Sequence, residues 1–302
     1  MIYLILAILC SASIAIIFKF SENKNMNRYV ITTFNYVIAS FISFISMILN
    51  RGIFKNIEGN FFYEFKEVII DNNNSTFSSQ GSIIWALLLG FSAGVFFFLS
   101  FFLYQKCIKE NGVSISGAFG KLGILVPVIM SIVLWREIPL FLQIIGMMIA
   151  FFSIILINFP QKGEKVKINY LLILLFLIGG TAEFSNKIFQ KYALIEYKEL
   201  FLFSVFFSAF IISFYFMIKK SNSIRKKDVF IGFLVGIPNL FSSYFLILAL
   251  KDINTSIAYS TYTSGSIFII YLFGIFVFNE KLKKNETIAI LTIILALILM
   301  NL

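Results

Sequence analysis

Residues 82–105 read SIIWALLLGFSAGVFFFLSFFLYQ, a stretch without a charged side chain. An α-helix of this length extends about 36 Å, enough to cross the roughly 30 Å hydrocarbon core of a bilayer. Comparable apolar runs predict ten spanning helices, at residues 1–18, 29–49, 82–105, 113–135, 139–158, 169–190, 199–218, 229–250, 254–278 and 285–301. The predicted fold class is therefore an all-α integral membrane protein with ten transmembrane helices.

The composition excludes a soluble protein. Of the 302 residues, 59% are hydrophobic and 13% are charged, whereas about 25% of the residues in a soluble globular protein are charged. The chain has no histidine and two cysteines, which excludes histidine-based catalysis and gives no metal-site spacing. We expect no enzyme activity, no cofactor and no metal. The net charge of +10 is located mainly in short connections, so anionic lipid headgroups, rather than nucleic acid, are the expected counter-charge.

The two halves of the sequence repeat each other. Gly90-Phe-Ser-Ala-Gly94 recurs as Gly232-Phe-Leu-Val-Gly236, 142 positions later. Ser114 matches Ser256 at the same offset and Glu137 matches Glu280 one position further, whereas Lys19 matches Lys187 at a larger offset that is consistent with the extra loop 50–81. The chain thus divides into five-helix units at 1–158 and 168–302, with the loop 50–81 inserted between the second and third helices. Because five is an odd number, the second unit enters the membrane upside down, and the predicted architecture is an inverted repeat.

Each predicted unit ends in a similar pattern. Gly120-Lys-Leu-Gly-Ile-Leu-Val-Pro127 leads to Leu134-Trp-Arg-Glu137, and Tyr262-Thr-Ser-Gly265 leads to Phe278-Asn-Glu-Lys281. With these motifs the chain resembles the ten-helix, EamA-containing members of the drug/metabolite transporter superfamily. The resemblance implies a secondary transporter of small metabolites, often an exporter, with both termini in the cytoplasm. The distribution of Lys and Arg over the connections instead places both termini outside.

Two charged residues lie within predicted spans and are candidates for substrate binding. Lys121, in the fourth helix, has Ser114, Gly117 and Gly120 as small neighbours and can offer its ammonium to a carboxylate or phosphate. Glu183, in the sixth helix, can take a substrate amine or carry a proton. Together the two could hold both ends of a zwitterion. The structural alternatives are an interfacial lysine, and a Glu183 that pairs with Lys187 at i,i+4.

Further candidates are polar residues on the inner faces of other helices. Asn186 follows Glu183 on the same stripe, Asn239 follows Pro238 in the eighth helix, and Tyr259 and Thr263 share a face of the ninth. Pro127 and Pro238 predict interruptions of the fourth and eighth helices. Interhelical hydrogen bonding is the alternative role for each of these side chains. An aromatic group, Phe96, Phe97, Phe98 and Tyr104, offers a cage for an organic cation, with packing as its alternative.

The sequence predicts a secondary active transporter of small metabolites in the cell (plasma) membrane. It would work by alternating access and export amino acids or related molecules. The alternatives are a multidrug or organic-cation efflux transporter and a non-transporting membrane subunit. The expected partners are a small-molecule substrate, the lipid bilayer and a coupling proton, in a monomer or homodimer. We expect loop 50–81 to be a partly disordered surface loop, with a lid or a partner-binding loop as the alternative. We expect Glu137 and Glu280 to be solvated residues of helix–helix turns, with gating contacts as the alternative.

Overall fold

The computed structural model describes residues 2–49, 58–70, 75–136, 140–158, 169–221, 223–252 and 255–299. All regular structure within these ranges is helical. The α-helices are α1 Ile2–Asn23, α2 Arg28–Leu49, α3 Phe61–Phe65, α4 Ser79–Asn111, α5 Val113–Leu122, α6 Leu125–Trp135, α7 Phe141–Asn158, α8 Tyr170–Tyr192, α9 Lys198–Lys220, α10 Lys226–Asp252, α11 Thr255–Phe276 and α12 Lys284–Leu299. A π-helical turn, Lys66–Ile70, follows α3, and a 3-10 turn, Ile195–Tyr197, precedes α9.

Helices long enough to cross a membrane confirm the predicted class of protein. Seven segments of the described chain have the required length and hydropathy: Ile2–Asn23, Arg28–Leu49, Ser79–Asn111, Val113–Trp135, Tyr170–Tyr192, Ile195–Lys220 and Lys226–Leu246. Shorter apolar helices lie at Phe141–Ala150, Thr261–Phe276 and Thr287–Leu299, within the remaining three predicted spans. The protein is a multi-span helical membrane protein, and the number of ten spans stays a prediction.

Large apolar side chains cover the outer surfaces of these helices. Phe41, Met148 and Ile211 are 57%, 68% and 49% exposed. Such surfaces suit lipid, which accepts apolar side chains but leaves backbone polar groups without partners. The helical backbone satisfies those groups within each span.

The chain forms two compact units, and each one draws on both halves of the sequence. Unit 1 comprises Met1–Met26, Phe101–Gly180 and Pro238–Leu302, and unit 2 comprises Asn27–Ser100 and Thr181–Ile237. This division by contact differs from the predicted sequence repeats, 1–158 and 168–302, which stay a prediction. The helices α4, α8 and α10 each contribute residues to both units.

The core of unit 1 is formed mainly by α5, α7, α11 and α12. Phe119, Leu122 and Leu125 are fully buried and cluster with Ile267 and Ile293. The helix α12 packs along α7, while α11 contacts α1, α5 and α12. The segment that carries Lys121 is thereby held against helices from both halves of the sequence.

Unit 2 is organised around α2 and α9, which pack along each other. Tyr36 of α2 donates a 2.8 Å hydrogen bond to the carbonyl of Phe97 in α4. Phe97 and Phe98 are 7% and 4% exposed, and the ring of Phe98 stacks on Phe216 with 5.5 Å between centroids. These two members of the predicted aromatic cage therefore pack against other rings of the protein.

Both glycine pairs of the repeated motif lie against the backbone of a neighbouring helix in unit 2. A Cβ atom on Gly94 would lie 2.5 Å from the carbonyl oxygen of Val205 in α9. A Cβ atom on Gly232 would lie 2.9 Å from the carbonyl oxygen of Ile31 in α2. Only glycine permits these approaches, which let the helices pack at close range.

The connection before α4 is folded where the structure describes it. Asn60 starts α3, and the Glu64 carboxylate accepts hydrogen bonds from the backbone of Asn60 (3.0 Å) and Ser78 (2.9 Å). Burial alone would raise the pKa of Glu64, but these hydrogen bonds hold it below its usual range. Phe77 is 1% exposed, and its ring lies 5.3 Å from that of Trp85. Residues 58–70 and 75–81 are thus packed, and the rest of loop 50–81 lies outside the described residues.

A buried carboxylate joins three segments of unit 1. Glu280 accepts hydrogen bonds from the backbone N–H groups of Val113 (2.7 Å) and Ser114 (3.1 Å) at the start of α5, and from the Ser114 hydroxyl (2.8 Å). It also forms a 2.7 Å ion pair with Lys19 of α1. Its side chain is 8% exposed, so the expectation of a solvated turn residue was wrong for Glu280. Glu137 lies outside the described residues.

Hydrogen bonds favour the ionised form of Glu280. Burial by itself would raise the pKa of Glu280, but the bonds from Lys19, Val113 and Ser114 outweigh it and lower the pKa below the usual glutamate range. A carboxylate with a lowered pKa stabilises the folded state above its unfolded pKa. That stability is lost as the pH falls through the lower, folded value.

We predict that Gly94→Ala lowers stability, because the new methyl group meets a backbone carbonyl that cannot move aside. Overpacking of this kind costs about 1–3 kcal/mol. Gly120→Ala is the matched control, since its Cβ would lie 3.8 Å from the nearest atoms, of Leu175 and Tyr104. Thermal unfolding in detergent should show a lower Tm for the first variant only. Equal melting of both variants would contradict the close packing of α4 on α9.

We also predict that Glu280→Gln destabilises the protein by roughly 1–3 kcal/mol, because the neutral amide leaves Lys19 and two helix N–H groups poorly satisfied. The Tm difference from the unmodified protein should be constant near neutral pH and shrink below the ordinary glutamate pKa of about 4.3. Glu110→Gln, at an exposed glutamate of the same unit, is the control and should leave Tm unchanged. A pH-independent difference would refute the ionic role of Glu280.

Candidate functional site

The fourth predicted span is broken between α5 and α6. Pro127 has no N–H group, so it cannot bond to the carbonyl of Gly123 as a regular helix would require. The N–H of Val126 takes that carbonyl instead, at 3.0 Å. The N–H of Ile124 bonds to the carbonyl of Lys121 at 3.3 Å. The interruption predicted from Pro127 is present, and it follows Lys121 by two residues.

A second helix lies directly against the break. A Cβ atom on Gly180 of α8 would lie 2.5 Å from the carbonyl oxygen of Gly123, and one on Gly123 would lie 2.8 Å from the nitrogen of Gly180. The two backbones are therefore in contact with no side chain between them. This approach fixes the position of the break, and with it the end of the helix that carries Lys121.

Lys121 reaches α11 from this helix end. Its Nζ atom donates a 3.1 Å hydrogen bond to the hydroxyl of Tyr262 and lies 4.3 Å from the centre of the same ring. Lys121 is half-buried, whereas Tyr262 is 6% exposed. An ammonium at mid-depth in a span costs roughly 2.5–3.5 kcal/mol or more, and the hydroxyl and ring of Tyr262 offset part of this.

The hydroxyl of Tyr262 continues into a chain of hydrogen bonds. It lies 2.8 Å from the hydroxyl of Ser242 in α10, which in turn donates to the carbonyl of Ala7 in α1 at 3.4 Å. Ser242 is 3% exposed. The side chain of Lys121 is thus connected, through two hydroxyls, to the backbone of the first helix of unit 1.

Three other predicted site residues also belong to unit 1. Thr263 is 3% exposed, and its hydroxyl donates to the carbonyl of Tyr259 at 2.8 Å within α11. Tyr259 is half-buried, and Asn239 is 4% exposed, one residue after Pro238. Their assignment as substrate-binding residues stays a prediction.

Glu183 and Asn186 belong to unit 2. The amide of Asn186 donates to the Glu183 carboxylate at 3.2 Å, three residues apart on α8. Asn186 is 8% exposed and Glu183 is half-buried. The two residues therefore form one polar pair, as their common stripe predicts, while Lys121 lies in the other unit.

The sequence analysis did not select Tyr262 or Ser242 as site residues. Tyr262 lies four residues before Ser266, whose hydroxyl donates to the Tyr262 carbonyl at 2.6 Å. On a helix, the residues at i−3 and i−4 share a face with residue i, and these are Thr263 and Tyr262 for Ser266. The helical periodicity that selected Thr263 could therefore have selected Tyr262. Among the described residues no group of three or more His, Cys, Asp or Glu is placed to hold a metal ion.

Comparisons with known proteins bear on the fold and on part of the chain. The sequence pattern of the family described as Small Multidrug Resistance protein matches residues 200–294, from α9 into α12. An uncharacterized protein of Haemophilus influenzae is 24% identical over 303 residues, covering 95% of this chain and 93% of that protein. A solved structure, titled only as the crystal structure of a protein, superposes with a TM-score of 0.61 at 14% identity, covering 99% of this chain and 94% of the other. The chain therefore shares the fold of a solved structure over nearly its whole length, and its residues 200–294 are similar to the Small Multidrug Resistance protein family.

Proposed function

We propose that the protein is a secondary active transporter that exports small metabolites, amino acids or related molecules, across the cell membrane. The observation that carries the proposal is Lys121, an ammonium held at a break in an apolar span by the hydroxyl of Tyr262, 3.1 Å away. Transporters place their substrate sites at interrupted helices near the middle of the bilayer. A charged side chain within a span costs free energy, so a lysine that is kept there is expected to have a function.

Alternating access is supported by the way the repeated motif packs. The glycines of α4 lie on α9, and those of α10 lie on α2. In the predicted repeat, α4 corresponds to α10 and α2 to α9, so the two contacts are equivalents of one another. Arg136 and Asn279, 143 positions apart, also share left-handed backbone angles, with φ of 54° and 51°. Equivalent contacts in two halves are expected of a transporter built from inverted repeats.

Glu183 and Asn186 supply the second polar group of the proposed mechanism. A carboxylate on α8 can bind a substrate amine or carry the coupling proton, while the ammonium of Lys121 can bind a carboxylate. Amino acids carry both an amine and a carboxylate, the groups that Glu183 and Lys121 can each bind. A non-transporting membrane subunit would need neither residue within its spans.

Efflux of drugs or organic cations is the second candidate function. The match of residues 200–294 to the Small Multidrug Resistance protein family supports it, and Glu183 would be the residue that receives a cation. The two candidates differ in the charge of the substrate, and hence in which charged residue is required. Loss of Lys121 impairs only the first, whereas loss of Glu183 impairs both.

The first test measures transport by the purified chain in proteoliposomes loaded with a mixture of amino acids and organic cations. We predict that at least one compound leaves these proteoliposomes faster than it leaves loaded liposomes without protein. Lys121→Met should lower that efflux rate about tenfold or more. Lys220→Met, at an exposed lysine of α9, should transport normally. Absence of efflux for every compound would contradict the transporter assignment, and efflux of cations alone would favour the second candidate.

A further prediction concerns proton coupling through Glu183. An imposed pH gradient should accelerate transport by the unmodified protein, whereas Glu183→Gln should transport at a rate independent of the gradient. The control is Glu110→Gln, which removes an exposed carboxylate from the other unit. Transport that ignores the gradient in the unmodified protein would exclude the proton as the coupling ion.

A further inference from the structure

We infer that Lys121, Tyr262 and Ser242 form a binding site for an anionic group, a carboxylate or a phosphate, carried by a small substrate. The inference rests on the proposed transport function and specifies the charge that the site in unit 1 selects. It also assigns roles to two residues, Tyr262 and Ser242, which orient the ammonium without contributing charge.

Two lysines of unit 1, Lys19 and Lys121, have different partners. Lys19 pairs with the carboxylate of Glu280 at 2.7 Å, and this ion pair is closed by further bonds from α5. Within the part of the chain that the structure describes, the ammonium of Lys121 bonds to the hydroxyl of Tyr262 and lies over its ring, and no carboxylate lies within ion-pair distance of it. The charge of Lys19 is neutralised inside the protein, whereas the charge of Lys121 is kept for a ligand.

The hydrogen bonds around Lys121 run in one direction. A lysine ammonium can only donate, so the oxygen of Tyr262 accepts from it. One arrangement then gives every proton an acceptor: Tyr262 donates to Ser242, and Ser242 donates to the carbonyl of Ala7. Chains of this kind strengthen each member and hold it in place. The ammonium keeps two further N–H donors, since Tyr262 uses one of three.

A site made of donors selects acceptors. A carboxylate or phosphate oxygen would accept from the free N–H groups of Lys121 in a charge-assisted hydrogen bond, which is roughly twice as strong as a neutral one. A cationic ligand would be repelled by the same ammonium. A neutral amide of the same shape would gain only the weaker bond.

The helix position next to Lys121, Gly120, could carry a methyl group. A methyl group at Gly120 would have its nearest neighbours, Leu175 and Tyr104, at 3.8 Å, which is ordinary contact. In contrast, a Cβ on Gly117 would lie 2.8 Å from the side chain of Ile270, and Ser114 is bound to Glu280. Of these three small neighbours, Gly120 alone could carry a methyl group without a clash, and it is adjacent to Lys121.

The test measures ligand-induced stabilisation of the purified full chain in detergent with pairs of probes, one of which carries an anionic group that the other lacks. Succinate is compared with succinamide, L-serine with L-serinamide, and glycerol 3-phosphate with glycerol. We expect at least one acid to raise Tm in a saturable way while its neutral or amide partner does not. Stabilisation by carboxylates alone identifies a carboxylate site, and stabilisation by the phosphate ester alone identifies a phosphate site.

Variants then locate the binding. Lys121→Met should abolish the acid-dependent stabilisation, and Lys121→Arg, which keeps the charge, should retain part of it. Tyr262→Phe and Ser242→Ala should weaken the apparent Kd by roughly tenfold while leaving the preference for acids intact, because they position the ammonium. Lys220→Met is the matched control and should bind as the unmodified protein does. If Lys121→Met does not fold, Lys121→Arg and Tyr262→Phe still decide the outcome.

The inference is overturned if amides stabilise as well as acids, if no acid stabilises, or if Lys121→Met binds normally. Its failure is separable from that of the proposed function. Efflux of neutral or cationic compounds that is insensitive to Lys121→Met would leave a transporter without the anion site. Acid binding that depends on Lys121, combined with no efflux of any compound, would leave an anion site in a protein that does not transport.

Discussion

The structure depends on one constraint, which is that hydrocarbon offers no hydrogen-bond partner. Every polar group within a span must be satisfied by the protein itself. Most hydroxyls meet this requirement on their own helix: Ser43 donates to the carbonyl of Ala39, and Ser266 to that of Tyr262. Charged groups cannot be satisfied so locally. Glu280 and Lys121 each recruit partners from distant helices, and these contacts connect α1, α5, α10 and α11 in unit 1.

The two charged clusters satisfy that constraint in different ways, and the difference carries the functional argument. Glu280 receives four donors, one of them the ammonium of Lys19, so its charge is fully compensated. Such a cluster stabilises the turn before α12 and the start of α5. Lys121 has a neutral hydroxyl and an aromatic ring in place of a carboxylate. Folding alone would favour replacing it by an apolar residue, which makes ligand binding the better explanation of a lysine at this position.

Local features of the sequence predicted those parts of the fold that depend on local physics. The apolar runs predicted the seven helices that are long enough to span, because length and hydropathy decide whether a helix crosses a bilayer. Pro127 predicted the break in the fourth span because the missing N–H acts within one turn. Pro238 lies inside the continuous helix α10, so the interruption predicted there was wrong. Tyr262 was missed because its bond to Lys121 joins residues 141 positions apart. Glu280 was misjudged for the same reason, since its partners at Lys19 and Val113 are far away in sequence.

Three helices, α4, α8 and α10, pass from one unit to the other. The boundaries between the units fall after Ser100 in α4, after Gly180 in α8 and before Pro238 in α10. Gly180 and Pro238 lie at two of these boundaries, and Pro238 lacks the N–H group that a regular helix uses. Gly180 also contacts the break beside Lys121. A side chain at position 180 would meet the carbonyl oxygen of Gly123 and displace the end of α5, so glycine at this position keeps the ammonium of Lys121 where it is held.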